Sequence, residues 1–137
     1  MQKYESYNPE YTISIAKEIA STALPGSIYI LEGELGAGKT VFAKGFALGL
    51  SVRELITSPT FAILNIYNGS VPFYHFDLYR LQDQIEDQGF EEYFFGNGVC
   101  LIEWGQYAQH IIGTHFKKVN ILKDSIKGEN FRLIEVK

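Results

Sequence analysis

Cysteine occurs once in these 137 residues, at Cys100, and that scarcity is the first constraint on the chain. One thiol makes neither an intrachain disulfide nor a cysteine-based structural zinc site, which fits a reducing compartment. His110 and His115 share no ligand spacing with each other or with Cys100, so zinc is not expected. No stretch approaches 18 uninterrupted apolar residues, which excludes a transmembrane helix and predicts no membrane association. Met1 to Glu10 is polar and aromatic and lacks the basic start and apolar stretch of an export signal, so the expected location is cytoplasmic. An excess of positive charge is missing too: 12 Lys and Arg stand against 16 Asp and Glu, a formal charge of -4. Contacts along a nucleic-acid backbone need clustered Lys and Arg, so the domain as a whole does not read as a nucleic-acid binder. RNA, if it enters the biology, is expected to arrive with another subunit.

What the chain does have is a 46% share of apolar residues. A chain of this length can bury roughly 68–70% of the surface it would expose unfolded, enough for a real core without covalent staples. The reading is one domain over residues 1–137, with no repeat, linker or low-complexity tract. Asn8-Pro9-Glu10 has the form of a helix start, and Ile13, Ala16, Ile19, Ala20 and Ala23 recur at helical spacing up to Pro25-Gly26. Ser27 to Glu32 lies between breakers, is too short for a helix and is rich in strand formers, which predicts a buried strand. A glycine-rich turn follows, then a second helix from Lys39 to about Leu50. Phe61 to Tyr67 and Pro72 to Asp77 read as a hairpin around Asn68-Gly69. Leu81 to Phe95 reads as two short helical pieces around Gly89, and Val99 to Ile102 as a central parallel strand ending in an acid. Lys117 to Leu122 and Phe131 to Val136 close the chain as a hairpin turning around Lys127-Gly128.

Gly33-Glu34-Leu35-Gly36-Ala37-Gly38-Lys39-Thr40 satisfies the pattern G-x-x-x-x-G-K-[ST]. At ordinary residue frequencies a chain this long shows that pattern by chance on the order of one time in a hundred or fewer. Here it also follows an apolar strand and opens a helix, the context its chemistry requires. Glycines let backbone amides turn inward around phosphate oxygens, and the helix N-terminus adds a favourable dipole. Lys39 is then placed to reach the β- and γ-phosphates, and the Thr40 hydroxyl to ligate magnesium. The whole arrangement predicts a three-layer α/β domain of the P-loop NTPase-like kind, with a mixed, largely parallel central sheet and a C-terminal β-hairpin.

Such a site also needs an acid near the metal, usually just past a buried strand. Glu103 follows Val99 to Ile102, and Asp77 follows Phe73-Tyr74-His75-Phe76, whereas Glu86 and Asp87 sit among other acids in a polar stretch and read as solvated charges. Thr57-Ser58-Pro59-Thr60 occupies the interval where many P-loop proteins carry a segment that responds to the γ-phosphate, though an ordinary polar turn fits the spacing equally well. No Asn-Lys-x-Asp base-reading motif exists, so adenine is expected over guanine. His75 alternates with aromatic residues and reads as a packing residue, Cys100 as a small buried hydrophobe, and Trp104 as core, nucleotide neighbour or partner anchor.

Four blocks in order go beyond a generic P-loop: Gly33 to Thr40, Ser58-Pro59-Thr60-Phe61, His75-Phe76-Asp77-Leu78-Tyr79-Arg80-Leu81, and Leu101-Ile102-Glu103-Trp104. Together they resemble the TsaE family, small bacterial ATPases of tRNA threonylcarbamoyladenosine (t6A) synthesis, over almost the whole chain. The resemblance implies an ATPase, with ATP and magnesium, that joins the TsaB and TsaD proteins while they transfer a threonylcarbamoyl group to tRNA. Contact with tRNA is then indirect, through the complex, and hydrolysis serves turnover of that assembly. By position the resemblance makes Thr40 and Glu103 magnesium ligands, Asp77 a second essential acid near the metal, and Thr60 a switch residue. Nucleotide contacts are expected from Glu34, Leu35, Gly36, Ala37, Gly38, Lys39, Thr40 and Val41, and single-residue matches add Thr12 and Arg132. Val41 and Lys44 stand where similar proteins often carry Thr and Arg, and neither change removes a required chemical group.

The reading is therefore a partner-stimulated P-loop ATPase in which Lys39, Asp77 and Glu103 carry the catalysis. Its rivals are a small-molecule kinase and a nucleotide-gated binding module. A kinase normally closes a lid bearing several arginines, and this chain has only Arg53, Arg80 and Arg132.

Overall fold

Strand β1 (Gln2–Ser6) leads into helix α1 (Pro9–Ser21), which begins where the sequence sets its cap: the Asn8 side-chain oxygen accepts from the Tyr11 amide at 2.9 Å, and Pro9 takes the first helical position. The computed structural model describes all residues from Met1 to Lys137. Helix α1 buries Thr12, Ile15, Ala16, Ile19 and Ala20; of the expected stripe Ile13 is half-buried, and Ala23 packs against the same core from beyond the helix, which ends at Ser21 rather than at Pro25-Gly26. Strand β2 (Ile28–Gly33) runs into the glycine loop, and α2 (Lys39–Gly49) leaves it. The hairpin β3 (Leu64–Asn68) and β4 (Pro72–Asp77) follows, then a short 3-10 helix (Gln82–Gln88) and α3 (Glu91–Phe94). Strand β5 (Val99–Glu103), a 3-10 turn (Gly105–Ala108), α4 (Gln109–Ile112) and the closing hairpin β6 (Lys117–Lys123) and β7 (Arg132–Val136) complete the chain.

The strands form one seven-stranded sheet in the order β1-β7-β6-β2-β5-β4-β3. Strands β6, β2, β5 and β4 pair in parallel, and β1, β7 and β3 join antiparallel at the margins. This is the mixed, largely parallel sheet expected from the sequence. Alternation along the strands feeds two cores. Tyr29, Leu31, Phe73, Leu101 and Val119 face Phe42 and Phe46 of α2 and Ile15 and Ile19 of α1. Ile28, Ile30, Phe76, Cys100 and Ile102 face Ile85, Phe94, Ala108 and Ile112 from the short helical pieces. No helix is long and apolar enough to cross a membrane.

Helix α2 carries two glycines that ordinary helix propensity disfavours. A Cβ on Gly45 would run into the Ile13 carbonyl, and one on Gly49 into the Lys17 carbonyl, so both glycines let α1 lie directly against α2.

The structure corrects the sequence reading at two elements. The strand expected over Phe61 to Tyr67 begins only at Leu64, because the Ile63 amide turns back to the Pro59 carbonyl at 2.6 Å with Ile63 at φ 71. Phe61 is thereby left in the loop, 87% exposed. Strand β1 was not expected at all. Its side chains are mostly exposed and give no apolar alternation, and what makes it a strand is backbone pairing with β7, from Gln2 opposite Val136 to Ser6 opposite Arg132.

Candidate functional site

Strands β2, β5 and β4 are neighbours, and their C-terminal ends open into one cleft of about 800 Å³. Gly33, Glu34, Leu35, Gly36 and Gly38 of the loop line it, with Lys39, Thr40 and Val41 from the first turn of α2. Gly36 at φ 79 and Gly38 at φ 106 hold left-handed backbone that a side chain would strain, which is why the turn needs glycine. Helix α2 has no side-chain cap, unlike α1, and its first intrahelical bond runs from the Phe42 amide to the Gly38 carbonyl. Its first-turn amides are left for a ligand, at the positive end of the helix dipole.

The loop's carbonyls are held from behind. Arg132 on β7 donates from Nε to the Ala37 carbonyl at 2.7 Å and from Nη2 to the Gly36 carbonyl at 3.3 Å. Lys123 on β6 donates to the Leu35 carbonyl at 3.4 Å. Three successive loop carbonyls are thus turned to cations. Ala37 itself is fully buried, and Leu35 is 95% exposed at the rim.

Thr12 and Arg132 lie together in a second, smaller pocket of about 170 Å³ beside Asn8, Gly36, Ala37, Gly38 and Val41. The Thr12 hydroxyl is nearly buried and shares a 2.7 Å hydrogen bond with Ser6 Oγ. The structure thus separates these two residues from the cleft that holds the acids and joins the two spaces through the glycine loop.

Both candidate acids are in the cleft. Asp77 and Glu103 are register partners on adjacent parallel strands, so they face the same side of the sheet at its edge above the loop. Asp77 accepts from the Thr60 hydroxyl at 3.2 Å on Oδ2 and from the Tyr79 amide at 3.1 Å on Oδ1. Ser58 and Thr60, the expected switch positions, line the cleft with their hydroxyls 2.7 Å apart. Arg80 donates to the Phe61 carbonyl at 2.8 Å, so it ties this loop down and turns neither to the acidic segment nor to the loop glycines. Glu86 pairs with His110 at 2.8 Å on the surface, in keeping with a solvated charge.

His75 plays a part that the sequence reading did not assign, and Trp104 takes a place among those it left open. His75 is buried and stacks on Phe73 at 5.9 Å, as a packing residue should, but its Nε2 also lies 3.0 Å from Glu103 Oε2. The available signal was its spacing of two residues from Asp77 on the same strand face. Trp104 takes left-handed backbone at φ 60 immediately after Glu103, lines the cleft, and packs at 4.8 Å on Tyr79. Cys100 is fully buried, and that burial pushes its thiol up to about 12, which removes it as a nucleophile.

The donor set of the cleft, Thr40, Ser58, Thr60, Asp77 and Glu103, consists of oxygens alone. No group of three or more His, Cys, Asp or Glu side chains forms a self-contained metal cage. That combination fits magnesium, which binds through one or two carboxylates and the phosphates of a substrate.

A family model described as "Threonylcarbamoyl adenosine biosynthesis protein TsaE" matches residues 6–131. The tRNA threonylcarbamoyladenosine biosynthesis protein TsaE of Bacillus subtilis (strain 168) is 54% identical over 108 residues, which cover 78% of this chain and 68% of that protein. The protein of the same name from Treponema pallidum (strain Nichols) is 52% identical over 83 residues, 59% of this chain and 62% of that one, so the match spans less than two thirds of its length. Among solved structures, the crystal structure of Bacillus subtilis YdiB aligns with a TM-score of 0.82 at 40% identity, covering 97% of this chain and 82% of that chain.

Proposed function

The chain belongs to the TsaE family of threonylcarbamoyl adenosine biosynthesis proteins, and we propose that it is a magnesium-dependent ATPase serving tRNA threonylcarbamoyladenosine formation as an accessory subunit. The observation that carries this reading is the convergence on one cleft of an uncapped helix N-terminus, Lys39, Thr40 and two strand-end acids. Each is a separate requirement of phosphoryl transfer, and the sequence scatters them over more than sixty positions, from Lys39 to Glu103.

In the proposed reaction the loop amides and the Lys39 ammonium hold the β- and γ-phosphates of ATP. Water attacks the γ-phosphorus, the bond to the ADP oxygen breaks, and phosphate and ADP leave with one proton released to solvent. Thr40 and Glu103 would hold magnesium, with Asp77 beside them, and the ion would neutralise charge on the phosphate oxygens. Asp77 and Thr60 orient the water. The protein's work is positioning and charge stabilisation, since this chemistry leaves little covalent work for side chains. Thr12 and Arg132, across the loop from the acids, are the chain's own candidates for the nucleoside end of ATP.

The partners in this reading are the TsaB and TsaD proteins, with tRNA reached through them, and hydrolysis drives turnover of their assembly. A kinase is disfavoured because Arg80 and Arg132 are already committed to backbone carbonyls, which leaves no set of lid arginines. A P-loop site lacking an arginine in trans can hydrolyse as slowly as about 3–5 × 10⁻⁴ per second, and a group supplied by a partner can add roughly 10³–10⁵-fold. The test is steady-state phosphate release by the protein alone and with the TsaB–TsaD pair. Acceleration by the pair supports the proposal. Equal rates reject partner activation, label appearing on a small acceptor would indicate a kinase, and no release at all a pure binding module.

A further inference from the structure

We propose that His75 is a positioning residue for the metal-binding carboxylate of Glu103, a role that rests on the magnesium reading given above. Phe73, His75 and Asp77 alternate onto one face of β4, and Leu101 and Glu103 onto the same face of β5. Register sets His75 opposite Leu101, so Glu103 is its diagonal neighbour one step nearer the cleft. There His75 Nε2 meets Glu103 Oε2 at 3.0 Å, with the two side chains 2% and 12% exposed.

Packing alone does not account for a histidine here. The ring stacks nearly parallel on Phe73, with 13° between planes, in surroundings that a phenylalanine would fill. His75 Nδ1 is buried without a hydrogen-bond partner, an arrangement that a hydrocarbon ring would avoid. Only the other nitrogen has a polar task, and that task is Glu103. The ring therefore carries its proton on Nε2 and donates it to Oε2, which leaves Oε1 for a ligand of the cleft. A carboxylate that is free to rotate samples many orientations, whereas one oxygen pinned from below fixes the direction of the other. Outer partners of this kind commonly govern metal affinity by about 10–100-fold.

The test titrates Mg²⁺ against the full-length protein with a fluorescent ADP analogue, and measures the affinity of the same analogue in EDTA. Wild type is compared with His75→Gln, His75→Asn, His75→Phe and Glu103→Gln, and thermal melts check folding. A glutamine amide nitrogen reaches the place of Nε2, while an asparagine nitrogen reaches only that of Nδ1. His75→Asn and His75→Phe are expected to raise the Mg²⁺ midpoint about tenfold or more, with His75→Gln close to wild type and affinity in EDTA unchanged throughout. If the phenylalanine variant does not fold, the contrast between asparagine and glutamine decides in the same way. Equal midpoints for all three His75 variants, whether raised together or all at the wild-type value, overturn the proposal, as does a parallel loss of affinity in EDTA. Glu103→Gln separates the two levels of the argument. A shifted midpoint there with unshifted His75 variants removes only the role of His75, whereas an unshifted Glu103→Gln removes the magnesium site itself.

Discussion

The Thr60 hydroxyl donates to Asp77 Oδ2 at 3.2 Å, and the Asp77 amide donates to the Ile63 carbonyl at 2.8 Å. One residue at the end of β4 therefore holds the loop before β3 at two points, and Arg80, three residues past Asp77, adds a third restraint through its bond to the Phe61 carbonyl. The acid and the loop hydroxyls of the cleft form a single unit, so a change at Asp77 is felt at Thr60. Glu103, pinned instead by His75, belongs to a different support.

That separation gives the two acids distinct signatures. Asp77→Asn is expected to lower turnover on the order of 10²-fold with little change in ATP affinity, since it disturbs the water-orienting unit. Glu103→Gln is expected to move the magnesium dependence to higher concentration. Hydrolysis rates over a magnesium series check both, and wild-type behaviour in both variants would remove the acids from the site.

Arg132 should matter to nucleotide binding through the loop it supports. Arg132→Ala takes charged donors from the Gly36 and Ala37 carbonyls, bonds of a kind worth about 1.5–3 kcal/mol each. ATP affinity is expected to fall about tenfold or more, and Arg132→Lys to restore little, because an ammonium lacks the guanidinium fork. Calorimetric titration decides this, and unchanged affinity would mean the loop keeps its shape unaided.

Gly45→Ala tests the helix contact. Its Cβ would meet the Ile13 backbone, which cannot rotate away as a side chain can, so a loss of about 1–3 kcal/mol of stability is expected. Urea unfolding measures it. A variant as stable as wild type would show that α1 and α2 are less tightly apposed than described.

How much of this was legible beforehand follows from the range of each interaction. The glycine loop and the strand-end acids were readable because their signals lie within a few residues: Gly33 to Thr40 is one contiguous block, and Glu103 closes a fully apolar run. The restraints on them were not. The His75 bond joins residues 28 apart and depends on parallel register, and the Arg132 bonds span 95 and 96 residues, more than half of the chain. Strand β1 was invisible because an exposed edge strand needs only backbone pairing. The late start of β3 depends on Ile63 in left-handed backbone, a conformation that β-branched residues rarely adopt and that nothing in Phe61 to Tyr67 announces.

Trp104 offers a test of partner coupling. It stands on the cleft wall beside Glu103, 38% exposed and packed on Tyr79. Buried aromatic anchors often dominate an interface, so Trp104→Ala is expected to lower the ratio of TsaB–TsaD-stimulated to unstimulated hydrolysis by about tenfold or more. An unchanged ratio would place docking elsewhere and leave the nucleotide site untouched.

The claim beneath all of these is that the glycine loop and Lys39 bind the phosphates of ATP. The direct measurement is a calorimetric ATP titration, paired with phosphate release, on wild type and Lys39→Ala with folding checked by circular dichroism. Wild type should bind ATP and hydrolyse it slowly, and Lys39→Ala should keep its fold while losing measurable affinity or turnover. A folded Lys39→Ala that binds and hydrolyses ATP like wild type would contradict the account.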